Sequence, residues 1–434
     1  MKIFRTIDAF FFGRVSATGF GLMRAMWGAS VLAYFLKQWP DVTRYYSAAG
    51  ELPPWLSQTM TNPSPGTSIL WLFPHPQAVF AIYLLLLVCA ACACVGLRPR
   101  ITTIVTTLLV MSFHVRNPWH TTGGDVLLRM AGVLLSVAPA GVHAFSWQRA
   151  RLQCRHWVRT RKLLPPLTMP AWPQRMLLWQ LIVLYSQSMW SKLLGTMWWD
   201  GTAVGIALHH THFGRFAVSP ISDVIGIAGP MLGWAFITWE SCWLLLLVPR
   251  NITAWWPADR LRRWLLATSF LIHMTFYALL RLGSFLTAIP TVLLGNLHEN
   301  DFTVMRATVN RRWKGKISVF YDGDCGFCLR SMGGIVMMDW LRRLRPVDFR
   351  SSQEHHKWAP DLELKNLDRA MHIRLPAGKT LHGFSAFRAL AWHLPPLWLL
   401  ASFLYLPGVK RLGDVVYRSI AENRKKCSHG HCKV

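Results

Sequence analysis

The stretch "VFYDGDCGFC", Val319 to Cys328, sets an apolar, β-branched and aromatic run before an Asp-Gly break and a Cys-x-x-C spacing. Taken from Ile317, "ISVFYDG" reads as a buried strand closed by a turn. The residues that follow, "DCGFCLRSMGGIVMMDWLRRLR", repeat apolar side chains at helical spacing. Cys325 is therefore predicted at a strand-to-helix turn and Cys328 in the first helical turn. Amide groups without helical partners, together with the helix dipole, favour a thiolate at a helix N-terminus. Thiolate is the attacking species in disulfide exchange, and a cysteine three residues on is within reach to resolve the mixed disulfide. Two other readings stay open at this level. The pair is half of a zinc site completed by Cys427 and Cys432 of "CSHGHC", or it is inert packing.

Upstream of this turn the composition changes character. The chain has 434 residues, of which 52% are hydrophobic and 15% charged. Soluble domains average about 25% charged, so this is the composition of a membrane protein. The 23 Trp and the net charge of +27 fit the same class, because Trp collects at bilayer interfaces and Lys/Arg in cytoplasmic loops. The Arg residues fall between apolar segments and not on one soluble face, which argues against nucleic acid as a partner. At the N-terminus "MKIFRTIDAFFFGR" reads as an interfacial entry helix, since its apolar run is broken by Asp8 and Arg14 and no small-residue cleavage site follows. Nine scattered Cys do not form a secreted disulfide framework.

A spanning helix needs about 20 mostly apolar residues. Eight segments qualify, at about 17–37, 77–97, 101–116, 124–145, 174–194, 227–249, 262–282 and 284–298, and the Pro-rich stretch 39–68 reads as a loop. With the N-terminus inside, the cytoplasmic loops collect Lys2, Arg5, Arg14, Arg98, Arg100, the six cations of "RARLQCRHWVRTRK" and Arg250, Arg260, Arg262 and Arg263. The opposite loops hold only Arg44, Arg116, Arg215 and Arg281. This asymmetry predicts both termini in the cytoplasm.

Ionisable residues within spans are costly and mark sites or buried structural pairs. Arg24, Arg129, Lys192, Glu240 and His273 are the cases here. Arg24 and Arg129 read equally well as a buried structural pair or as snorkelling side chains, with Glu240 as the counter-charge of one of these cations. Lys192 lies in "MWSKLLGTMWWDGTAV"; on composition alone it reads as a snorkelling interfacial lysine, and against an apolar wall it becomes a base. The loop "HHTHFGR" brings His209, His210 and His212 close together, but no carboxylate or Cys completes a metal spacing, so it is read as solvated.

Two resemblances sharpen these readings. "SKLLGTMWWDGTAV" and "HMTFYALLRLGSFLTAIP" resemble the membrane domain of vitamin K-dependent γ-carboxylase, and "RNPWHTTGGDVLLRMAGVLLSVAP" resembles the broader HTTM group of multi-pass proteins. That resemblance covers about residues 10–298. It implies Lys192 as the base that deprotonates a reduced, vitamin K-like quinone and His273 as a partner in the same cavity. A further histidine of the carboxylase maps near His120 or Asp125. The carboxylase's long lumenal domain has no counterpart in this sequence, which argues against glutamate carboxylation.

"YDGDCGFC" resembles the DCC family of thiol-disulfide oxidoreductases through Asp322, Cys325 and Cys328, and the likeness continues in "RPVDFRSSQ", "HGFSAFRALAWHLPP" and "YRSIAENR" over about 316–434. It implies a thioredoxin-like α/β domain in which "VDFRS" pairs beside the first strand and "MHIRL" forms a hairpin with "KTLHG". The apolar run "WLLASFLYLPG" is too short to span and is expected in this domain's core. Thioredoxin itself carries a cis-proline facing its Cys-x-x-C, and "LDRAMHIRL" has none there.

The expected fold is thus a multi-pass α-helical membrane bundle of about eight spans over 1–298, a basic juxtamembrane linker over 299–315 suited to an anionic leaflet, and a small α/β thioredoxin-like domain over 316–434. The expected function is a membrane-bound thiol-disulfide oxidoreductase in which Cys325 attacks, Cys328 resolves, and the membrane domain handles a quinone or lipidic substrate. The alternatives are a carboxylase- or epoxidase-like enzyme using Lys192, and a non-catalytic maturation factor or scaffold that senses redox state. The thiol chemistry requires no cofactor. The expected partners are the lipid bilayer, a quinone, and a thiol reductant such as glutathione or thioredoxin. The expected location is a bacterial inner membrane with the redox domain in the cytoplasm, where thiols are kept reduced.

Overall fold

A computed structural model describes residues 8–61, 68–139, 141–216, 220–247 and 258–426. The chain divides into two compact units, Met1–Gln148 with Pro166–Glu299, and Arg149–Pro165 with Asn300–Val434.

The first unit is helical because its sequence is a series of long apolar runs separated by Pro, Gly and polar breaks. Helices occupy the eight expected segments: Thr18–Lys37, Pro76–Val95, Pro99–Arg116, Gly123–Val137, Trp172–Leu194, Gly229–Ser241 continued by a 3-10 turn, Ala258–Leu279 and Phe285–Gly295. Three of them, Thr18–Lys37, Pro76–Val95 and Gly229–Leu247, are long and apolar enough to cross a membrane. Gly123–Val137 stops short of its expected end because Pro139 follows and disfavours helix in the residue before it. Phe285–Gly295 has 11 residues and rises only ~16 Å, too little on its own for about 30 Å of hydrocarbon. Of the expected entry helix, residues 8–12 are described and helical, and Arg14–Ser16 then pairs antiparallel with Thr168–Pro170.

The core of this unit forms where Thr18–Lys37 packs on its neighbours, with Phe20, Met23, Trp27 and Phe35 fully buried. Arg24, on the same helix, is also fully buried. Its guanidinium donates to the carbonyls of Ala93, Cys94 and Phe145. Two of these belong to the last turn of Pro76–Val95, whose carbonyls lack helical donors, so Arg24 serves as a cap on the negative end of a helix dipole.

The second unit is built on a four-stranded sheet of order β2–β1–β3–β4, with β1 Ile317–Tyr321, β2 Leu344–Asp348, β3 His372–Arg374 and β4 Thr380–His382. β1 is parallel to β2, and the helix Gly326–Met338 lies between them in sequence, as a parallel pair requires. β3 runs antiparallel to β1 and β4 antiparallel to β3. The pairings implied by the DCC resemblance are present, although β2 ends at Asp348 and not within "VDFRS". All five residues of β1 are buried. Ile317, Val319 and Tyr321 join Met332, Ile373 and Leu390 on one face, while Phe320 packs with Val347, Phe349 and Leu367 on the other.

Two expectations change here, and a third stretch gains definition. The basic run after residue 148, expected as a loop, is the helix Trp147–Thr160. Its apolar stripe places Trp157 in the core beside Tyr321, and Arg161 stacks over both rings. The stretch 299–315, expected as a linker, forms the helix Glu299–Arg312, whose last turn carries Arg311 and Arg312 at the end that favours cations. "WLLASFLYLPG" is core only in part, since Ala401 and Leu404 are buried while Phe403 and Leu406 are exposed.

Candidate functional site

The redox turn sits where the parallel strands β1 and β2 end together. Their register sets Tyr321 opposite Asp348, so the next residues of both strands meet. Asp348 Oδ1 accepts from the Gly323 amide at 3.0 Å. A side chain at 323 would collide with that carboxylate, because a Cβ built there lies 1.9 Å from Asp348 Oδ2. Asp322, nearly buried, accepts the Asp324 amide at 3.0 Å and receives both prongs of Arg350, from Nε at 3.1 Å and Nη2 at 2.9 Å. Arg350 Nη2 also reaches Asp368. The hydrogen-bonded Asp322 carboxylate raises the Arg350 pKa and keeps the cation charged. A forked ion pair of this kind fixes geometry as well as charge. It holds the loop that presents the cysteines.

Cys325 is the N-cap of Gly326–Met338, with extended backbone, and its Sγ accepts from the Cys328 amide at 3.4 Å. Leu329 N donates to the Cys325 carbonyl at 2.9 Å, which closes the first turn. Both cysteines are buried and neither is joined in a disulfide. Sulfur at this position faces the positive end of the helix dipole and one of its unpaired amides. Beside the turn lies a groove of about 400 Å³ that Cys328 lines together with Phe327, Met332, Ile335, Phe384 and Ile420. Ala370 and Met371, from the stretch where thioredoxin carries its cis-proline, form part of its wall. The Met371 amide donates to Tyr417 Oη at 2.7 Å.

Residues 319–429 match the family model of DCC1-like thiol-disulfide oxidoreductases. The C-terminal unit carries a DCC1-like domain. No curated protein and no solved structure matches the chain. The match to the DCC1-like family begins in β1 and takes in the redox turn, the sheet and the C-terminal helix Val409–Lys426. Cys427 and Cys432, the metal candidates of the zinc reading, lie outside the described residues. Among the described residues no group of three His, Cys, Asp or Glu is placed to hold a metal ion.

The structure places the other sequence candidates in the helical unit. Lys192 Nζ donates to Glu240 at 2.8 and 3.0 Å and to Ser188 Oγ at 2.5 Å, and it lies 5.0 Å over the Trp198 ring. Glu240 thus answers Lys192, and not Arg24, which is met by carbonyls. Lys192 and Trp198 line an open cavity of about 490 Å³. His273 is buried, its Nδ1 is 2.7 Å from the Ser269 carbonyl, and it packs against Tyr185, Phe276 and Phe285. Among the described residues no contact joins His273 to Lys192. His209 pairs with Asp223 at 2.8 Å, while the His212 amide donates to His210 Nδ1 at 3.2 Å.

Two features escaped the sequence reading. Arg350, the partner of Asp322, lies 28 residues further on, and only the β1–β2 register reveals it. His114 and Asp125 form a pair buried in the helical unit, with Nε2 3.9 Å from Oδ1. The other oxygen of Asp125 accepts from the amide and hydroxyl of Thr122 at 2.7 and 2.9 Å. His120, offered as an alternative to Asp125, instead contacts Glu51 at 2.5 Å.

Proposed function

We propose that the protein is a membrane-anchored thiol-disulfide oxidoreductase whose chemistry runs on Cys325 and Cys328. The observation that carries this reading is the position of Cys325 Sγ at a helix N-terminus, accepting the amide of its own redox partner. Cys325 attacks a substrate disulfide, the substrate S–S bond breaks, and one substrate thiol leaves with a proton. Cys328 then attacks the mixed disulfide, releases the second thiol and closes the Cys325–Cys328 bond. Asp322, clamped by Arg350, is a positioning residue for the turn. A cellular thiol reductant returns the pair to the dithiol. The helices of the first unit, three of them long and apolar enough to cross a membrane, serve as the anchor in the bilayer of a bacterial inner membrane, with the basic loops and the DCC1-like domain on the cytoplasmic side. Alkylation of the intact, reduced protein tests the assignment: Cys325→Ser should remove the fast-reacting thiol and all turnover, and unchanged reactivity would sink it.

A second reading belongs to the helical unit. Lys192 and Ser188, which cluster with Glu240, line a cavity, and the HTTM resemblance makes Lys192 the proton acceptor for a quinol there. Lys192→Ala should then abolish turnover of a reduced quinone by the purified protein, and full turnover would leave the cluster a structural ion pair.

A further inference from the structure

The groove beside the redox turn differs in chemistry from the rest of this basic chain. Among the described residues no charged side chain lines it, although the protein carries a net charge of +27. Its polar side chains are Tyr321, Ser331, Tyr417 and Cys328, and the Tyr417 hydroxyl accepts from the Met371 amide. Aromatic and Met side chains make up much of the remainder. A volume of about 400 Å³ falls within the range of small-molecule sites, ~300–1,000 Å³. One wall comes from the C-terminal helix through Val416 and Ile420, both half exposed, so the groove opens at its surface. A site that takes a carboxylate-bearing disulfide needs cations or free donors for those carboxylates, because burying an unpaired charge is strongly unfavourable. Among its described residues this groove offers no cation, only hydroxyl and thiol groups that cannot neutralise a carboxylate.

We propose that the DCC1-like domain is selective for uncharged, apolar disulfides, whose hydrophobic arm lies in this groove while the S–S bond meets the Cys325–Cys328 turn. The inference rests on the thiol reading above and adds the substrate class. The exchange balances as dithiol plus apolar disulfide giving the Cys325–Cys328 disulfide and two apolar thiols. The reduced full-length protein supplies both electrons and both protons.

The test compares dipentyl disulfide with 4,4′-dithiodibutyric acid, similar in length and differing in charge, as oxidants of the reduced full-length protein. Each rate is taken relative to the unsubstituted protein, so that partition of the apolar probe into lipid cancels. In Ile420→Asp and Val416→Asp the preference for the apolar probe should fall by about tenfold or more, the scale on which an altered apolar pocket discriminates. A variant-free measurement stands beside it. Dipentyl sulfide, which has the same arms and no S–S bond, should slow oxidation by either probe, whereas 4,4′-thiodibutyric acid at the same concentration should not. An unchanged preference in both variants, or equal competition by the apolar and the acidic sulfide, would overturn the proposal while leaving the thiol site in place. Failure of both probes to oxidise Cys325 and Cys328 would remove the thiol reading and this inference together.

Discussion

Two ion pairs, one in each unit, solve the same problem differently. In the DCC1-like domain Asp322 and Arg350 meet because two parallel strands end in register, and the pair fixes the loop that carries Cys325. In the helical unit Lys192 and Glu240 meet side chain to side chain, from Trp172–Leu194 and Gly229–Ser241, beside an open cavity. The first pair is tied to backbone geometry at the candidate chemistry. The second is confined to a helix interface. The difference teaches that a buried charge is informative when it orders a backbone that presents reactive atoms, and less so when it only neutralises a neighbour.

Breaking each pair in turn sharpens that contrast. Glu240→Ala leaves the Lys192 ammonium without its counter-ion in a site that is 15% exposed, a loss of about 3–5 kcal/mol for buried pairs. Thermal unfolding of the purified protein should show it, and Cys325 alkylation should keep its wild-type rate. Arg350→Ala strips two charged hydrogen bonds from Asp322. Arg350 is about one-third exposed, and after allowance for solvent screening the loss is about 1–3 kcal/mol. Here Cys325 alkylation should slow as the turn loosens, and Arg350→Lys should rescue it only in part, because an ammonium cannot supply the fork. If both variants change thiol reactivity alike, the contrast between the two pairs fails.

Smaller effects test the supporting structure. Thr122→Ala removes half of the capping box that Asp125 completes, and should lower the melting temperature by the equivalent of about 1 kcal/mol. In the DCC1-like domain burial, reinforced by Arg343, holds His393 down to about 4, against its ordinary 6.5. The unfolded chain therefore takes up this proton first, and stability present above pH 6.5 is lost as the pH falls towards about 4. Denaturant titrations across that window should show the loss, and His393→Leu should flatten it.

Local sequence carried much of this architecture. Apolar runs marked the eight longer helices of the first unit, though not the short ones Val42–Tyr46 and Pro54–Thr61 within the stretch read as a loop, and "ISVFYDGDCGFC" placed strand, turn and N-cap cysteine in order, because each depends on neighbours within a few residues. Distant contacts were not legible. Nothing near Asp322 names Arg350, nothing near Lys192 names Glu240, and nothing in "RARLQCRHWVRTRK" reveals that Trp157 packs beside Tyr321. The three-residue strands β3 and β4 were found only through the DCC resemblance, since so short a run has almost no periodicity of its own. Helix termini shifted where Pro or capping chemistry intervened, as at Val137.

The central claim is that Cys325 and Cys328 are a working redox pair. Equilibrating the full-length protein in dithiol–disulfide buffers of graded potential, then trapping thiols by isotope-coded alkylation and mass spectrometry, tests it most directly. Cys325 and Cys328 should lose both thiols together, in one reversible two-electron transition, while Cys89, Cys92 and Cys94 stay alkylatable under denaturing quench. A Cys325 that keeps its thiol at every potential, or oxidises without Cys328, would contradict the account.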